Sequence, residues 1–159
     1  PDITAVYVTH DLTEAFAVAD RVAVMDEGRI LQAAVPQELW CAPASERVAE
    51  LLGLRTIVDA TVAGGTATTP IGVIPVPDGS PEGPGRIVLR PEALTPDEHG
   101  PIEGVVASVA FRGVDSLLTV DTAGDRVEAV SPGAAGLSPG DRIRLVVDPA
   151  GIVVLRPAR

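Results

Sequence analysis

The chain contains no lysine and no asparagine. All twelve basic residues are arginine, against 22 acidic ones, and the formal net charge is −10. A phosphate-cradling GxxxxGK[ST] loop needs lysine, so these 159 residues hold none. A lysine general base, a Schiff-base lysine and a polybasic lysine tail are excluded with it. The acid excess is even along the chain: residues 1–55 carry 9 acids and 4 arginines, residues 56–159 carry 13 and 8. Neither part offers the basic stripe that nucleic-acid affinity needs. Aromatic residues make up 3% of the chain, too few for base-stacking platforms. The single cysteine, Cys41, excludes an internal disulfide and a cysteine-cluster metal site, and fits a reducing compartment. No apolar run approaches the ~18–20 residues of a membrane helix, and no basic stretch precedes a hydrophobic one as in a secretory signal.

What remains is a chain that is 46% hydrophobic, enough for a real core. With 16 glycines and 15 prolines it predicts many short elements joined by turns. The length suits one domain, or two small ones, at roughly 150 residues each. The chain starts at Pro1 and runs at once into an apolar stretch, so a piece of a longer protein is expected.

Residues 3–9 (ITAVYVT) are β-branched and aromatic and predict a buried strand. His10-Asp11 follows at once. Leu12, Ala15, Phe16 and Ala19 then form the apolar stripe of a short helix, with Asp11 and Glu14 spaced like a capping box. His10 thus stands at a strand-to-helix corner, the edge where α/β sheets bind ligands. Arg21–Asp26 and Arg29–Gln32 flank Glu27-Gly28 as a hairpin. Pro36 opens a helix through Trp40, and Ser45 caps another that ends at Gly53.

After Arg55 the periodicity changes. Short Val/Ile/Leu runs at 57–62, 71–76, 86–89, 102–111, 116–121, 126–130, 142–147 and 152–155 alternate with Gly/Pro/Asp turn clusters. That spacing predicts an all-β sandwich or barrel, with two lobes of strands, about 56–95 and 102–157, conceivable. The expected fold is therefore mainly β: an OB-like barrel or sandwich over residues 54–159, preceded by a short α/β tail over 1–53.

The run Tyr7-Val8-Thr9-His10-Asp11, Glu14-Ala15, Asp20-Arg21, Met25, Gly28-Arg29-Ile30 and Gln32 resembles the end of the nucleotide-binding domain of ABC-transporter ATPases, from its switch-histidine box onward. Pro36-Gln37-Glu38-Leu39 and Val48-Ala49 with Leu52-Gly53 are similar to the closing segment of that domain in importers. Ala34-Val35 departs from the usual Gly-Thr or Gly-Ser pair before this proline. Leu89-Arg90-Pro91-Glu92, and Phe111-Arg112-Gly113 leading into Leu118-Thr119-Val120, resemble the accessory C-terminal TOBE domain of the same proteins. The resemblance covers nearly the whole chain and suits the importer group for ferric iron, polyamines, sugars or sulfate, with ferric iron or polyamine nearer.

The resemblance implies that His10 is the switch histidine, the one catalytic and ATP-contacting residue here, reaching the γ-phosphate only in a full-length dimer. A neutral imidazole can donate and accept a hydrogen bond near pH 7, which suits that task. ATP and Mg are implied for the full-length parent and none for the fragment, which is expected to be inactive alone because the phosphate and Mg²⁺ contacts of phosphoryl transfer lie elsewhere. The implied partners are a second copy and the permease subunits, at the cytoplasmic face of the membrane without insertion, and no nucleic acid. Arg90, Glu92, Phe111 and Gly113 are the regulatory or interface candidates; an internal Arg90–Glu92 ion pair is one reading, a dimer or effector contact the other. Trp40 is expected as a packing anchor between the two parts, Cys41 as a semi-buried inert thiol, His99 as a solvated loop residue, and no metal site. The alternative function is a small-ligand domain of OB type, taking an oxyanion or a sugar.

Overall fold

The computed structural model describes residues 4–133 and 136–156. The first third holds α1 (Leu12–Val18), β1 (Val22–Asp26), β2 (Arg29–Ala34), α2 (Pro36–Cys41) and α3 (Glu46–Leu51). Among the described residues ten strands follow: β3 (Thr56–Ala63), β4 (Thr66–Thr69), β5 (Gly72–Pro75), β6 (Gly83–Leu89), β7 (Leu94–Pro96), β8 (Ile102–Phe111), β9 (Asp115–Thr122), β10 (Arg126–Pro132), β11 (Arg142–Val147) and β12 (Ile152–Leu155). Among the described residues no helix is long and apolar enough to cross a membrane.

The expected strand over residues 3–9 is not there. Ile3 lies outside the described residues, and 4–9 form no strand, with Val6 91% and Val8 89% exposed. A strand persists only where a neighbour takes its backbone N–H and C=O groups, and among the described residues none lies beside this one. The β1–β2 hairpin turns on Glu27 and Gly28, both at positive φ (46° and 75°), the combination a two-residue I′ turn requires.

The β region is mainly antiparallel and OB-like, built as two five-stranded sheets. The first has the order β12-β6-β3-β4-β5 and the second β10-β9-β8-β11-β7. In the second, β7 runs beside β10, so the sheet nearly closes on itself. One core fills the space between them, with Val58, Ile74, Ile87 and Leu89 from the first sheet against Leu94, Ile102, Leu118, Val127 and Leu145 from the second. The buried Thr56 hydroxyl ties the sheets by accepting from the Glu128 N–H at 2.9 Å. β8 carries an irregularity between Val106 and Ser108, which bends the strand as the barrel closes.

The two sheets do not follow the sequence order that two lobes would require. β7 leaves the first sheet for the second, and β12 leaves the second for the first. Both switches are made by the same device, a proline-started 3-10 turn: Pro91–Ala93 and Pro149–Gly151. The two turns face each other and exchange backbone hydrogen bonds, Arg90 N–H to Gly151 O (3.1 Å) and Asp148 N–H to Ala93 O (2.8 Å). Gly151 is required by this approach: a Cβ there would stand 2.3 Å from the Ala93 Cβ.

A second core lies on the other face of the first sheet. Val24, Ala34, Leu39, Val48, Ala49, Leu52 and Leu54 pack there on Val88 and Leu155, with Leu12, Phe16, Trp40, Ile57 and Val153 at its margin. Side chains alternate across a strand, so β6 sends Ile87 and Leu89 to one core and Val88 to the other; all three are fully buried. This double burial explains why β6 ends in an unbroken apolar run. Two ion pairs bind α3 into this layer: Arg47 with Asp26 on β1 (2.7 Å) and Arg86 on β6 with Glu46 (3.1 Å).

Candidate functional site

His10 sits in the bend just before α1, exposed to solvent. Among the described residues its ring has no hydrogen-bond partner. Asp11 caps the helix, its Oδ1 accepting from the N–H groups of Thr13 (2.8 Å) and Glu14 (3.1 Å). The capping box is only half made. Glu14 does not reach back to the Asp11 N–H, which donates instead to Thr9 Oγ1 at 3.0 Å. The Glu14 carboxylate takes the hydroxyls of Tyr7 (3.1 Å) and Thr9 (3.0 Å). The expected stripe Leu12, Ala15, Phe16 and Ala19 does face inward, each residue half-buried.

Arg90 and Glu92 meet at the first sheet-switching turn. The Arg90 side chain is 12% exposed and its Nε stands 3.8 Å from Glu92 Oε1. Its guanidinium also donates to the carbonyls of Ala150 (2.5 Å) and Gly151 (3.4 Å), so it holds the second turn as well as its own carboxylate. From the other side α2 delivers two residues to the same spot. Trp40 Nε1–H donates to Glu92 Oε1 at 2.9 Å, and the Cys41 sulfur lies 3.1 Å from Arg90 Nη1. Trp40 further meets Phe16 edge-on, with ring centroids 6.4 Å apart. The Trp40–Glu92 bond spans 52 positions, a separation for which sequence spacing has no signal. Cys41 is exposed rather than semi-buried, because α2 turns it outward at the helix end beside Arg90.

Phe111 and Gly113 lie apart from this junction, at the β8–β9 hairpin. Phe111 closes β8 and is 61% exposed, and Gly113 (φ 94°) makes the turn. Arg112 and Asp115 form a bidentate pair at 2.8 and 2.9 Å, and that carboxylate pushes the Arg112 guanidinium above its ordinary range. His99 has its side chain 95% exposed, 3.8 Å from Asp97 Oδ1. Among the described residues no three His, Cys, Asp or Glu side chains are placed to hold a metal ion.

An open cleft of about 940 Å³ lies over β8, β9 and β11, lined by Val105, Leu137, Ile143, Glu103, Asp121 and Arg142 among others. Its charges are already engaged in part: Arg144 pairs with Glu103, and Arg126 with Asp121 at 2.6 Å. The Arg126 hydrogen bond holds the Asp121 carboxyl below its ordinary value. None of the predicted site residues lines it.

The TOBE domain family matches residues 87–155. The Fe(3+) ions import ATP-binding protein FbpC of Streptomyces avermitilis is 44% identical over 155 residues, 96% of this chain and 45% of that protein. FbpC of Escherichia coli is 36% identical over 99% of this chain and 46% of its own length. The chain therefore spans about half the length of the curated relatives it matches. Among solved structures, the cytoplasmic molybdate-binding protein ModG superposes with a TM-score of 0.52 over 65% of this chain and 96% of that one. At 16% identity that likeness is one of fold.

Proposed function

We propose that this chain, which belongs with the ATP-binding subunits of ABC importers and carries their TOBE domain, is the regulatory and dimerising part of such a subunit. The observation that carries the reading is the match to the Fe(3+) import ATP-binding proteins across 96% of the chain, through both the His10 corner and the β region. In this reading residues 1–53 are the tail of a nucleotide-binding domain and 54–159 the regulatory domain. The complete subunit couples ATP hydrolysis to Fe(3+) uptake, paired with a second copy and attached to permease subunits at the membrane surface.

Each candidate residue then has a task. His10 offers an exposed imidazole with both ring nitrogens free to meet the terminal phosphate of ATP. ATP with Mg²⁺ supplies the phosphoryl group and its charge-neutralising metal; these 159 residues contain no phosphate loop of their own. Arg90 and Glu92 join the β region to α2 at Cys41 and Trp40, and Trp40 carries the link on to Phe16 in α1. Phe111 and Gly113 form an exposed tip suited to a second subunit.

Light scattering and thermal-shift measurements on this chain test the reading. A dimer mass, no ATP turnover above background, and no melting shift with molybdate, sulfate or sugars are expected. A micromolar oxyanion or sugar that raises the melting point of a monomer would replace it with a small-ligand-binding function.

A further inference from the structure

We propose that Glu14 is the positioning residue for His10. The inference rests on the reading of His10 as the switch histidine. His10 itself is exposed, and its ring has no hydrogen-bond partner among the described residues, so its placement depends on the backbone either side of it. Glu14 secures that backbone. One carboxylate oxygen, Oε2, accepts from Tyr7 Oη at 3.1 Å and from Thr9 Oγ1 at 3.0 Å. Thr9 Oγ1 accepts in turn from the Asp11 N–H at 3.0 Å, bracketing His10 in a two-residue side-chain turn. Asp11 Oδ1 then fixes the first turn of α1 through Thr13 and Glu14. The extended segment and the helix are thus stitched together across His10, and among the described residues Glu14 is the only side chain that bonds to both Tyr7 and Thr9.

Helix capping does not require this carboxylate, since Asp11 alone takes the free N–H groups. Three groups (a phenol, a threonine hydroxyl and a carboxylate) therefore serve the placement of the residue between them. An acceptor with two donors is needed at this point. Glutamine keeps it through its amide oxygen, whereas alanine removes it. A general acid, base or phosphate-contacting ring loses about 10²-fold in rate on a displacement of 1 Å, which sets the size of the expected effect.

Two measurements decide it. In this chain, backbone order parameters at Thr9 and His10 should fall from about 0.85 toward 0.6 or below in Glu14→Ala, stay high in Glu14→Gln, and fall part-way in Tyr7→Phe, with helix content by circular dichroism unchanged. In the complete ATP-binding subunit that carries this segment, Glu14→Ala should lower kcat for ATP about 10–100-fold with KM unchanged, and Glu14→Gln should recover most of it. Unchanged order parameters in Glu14→Ala overturn the proposal. So does an unchanged kcat in Glu14→Ala where His10→Ala abolishes turnover. If His10→Ala itself leaves turnover intact, the switch-histidine reading falls, and the functional part of this inference falls with it.

Discussion

Shaving Val88 to alanine should destabilise both layers of the molecule at once. Val88 is fully buried on β6, facing the core shared with α2 and α3, while its neighbours Ile87 and Leu89 fill the barrel core. The substitution removes two methyl groups, worth about 0.8 kcal/mol each in transfer free energy. The space left behind adds a cavity penalty, because close-packed neighbours relax only partly, and brings the total to about 2–3 kcal/mol. For a chain of this size that lowers the melting temperature by about 5–10 °C. Urea unfolding followed by two probes distinguishes a shared strand from a separable layer. Fluorescence of Trp40, the single tryptophan, reports the helical layer, and far-UV circular dichroism reports mainly the strands. The two transitions should coincide and shift together. As a control, Val73→Ala, at a side chain 58% exposed, should stay within about 0.5 kcal/mol of the parent. A fluorescence transition that moves while the circular dichroism transition stays put would refute the shared-strand argument.

Gly151→Ala should cost about 1–3 kcal/mol in urea unfolding, because its Cβ would meet the Ala93 Cβ at 2.3 Å and the Ala93 Cα at 3.0 Å, forcing the two sheet-switching turns apart. Acid should weaken the tie between β1 and α3. The Asp26 carboxyl is held below its ordinary value of 3.8, first by its hydrogen bond from Arg47. A depressed folded-state pKa means that the contribution is present above about pH 4 and is lost as pH falls through the lowered value. Asp26→Asn should therefore flatten the acid side of the stability profile, read as the urea midpoint between about pH 6 and pH 2, and an unchanged slope there would dismiss the pair as a source of stability.

Much of the architecture was legible because the local signals were chemical. Glu27-Gly28 supplies two positive-φ positions, Ser45 accepts from the Val48 N–H, and Pro36 starts α2, each at the place its side chain or backbone permits. The strands that escaped notice carry no apolar run. β4 is Thr-Ala-Thr-Thr with only Ala67 buried, and β7 is three residues ending in proline. Conversely, residues 4–9 have the composition of a strand without a partner, and propensity alone does not order them. The exchange of β7 and β12 between sheets could not be read either, since pairing partners follow from long-range packing. The same limit applies at the candidate site. Arg90 and Glu92 stand out as neighbours on a turn, but Trp40 and Cys41 join them only because Val88 and Leu155 seat the helical layer against that end of the sheet. Glu14 was visible as a capping residue; that its carboxylate serves Tyr7 and Thr9 instead emerges only when the extended segment is placed.

The return of β12 to the first sheet also imposes an order on synthesis. Leu155 belongs to the core around α2 and α3, and Ile152 to the barrel core, so neither core is complete until those residues have left the ribosome. The early-made helices and hairpin must wait through about a hundred further residues with Leu39, Val48 and Leu52 lacking part of their cover. During that interval an apolar surface stands open to aggregation or to a chaperone, as late-closing, long-range strand pairing generally leaves it. A ribosome stalled before residue 152 would therefore display two unfinished cores.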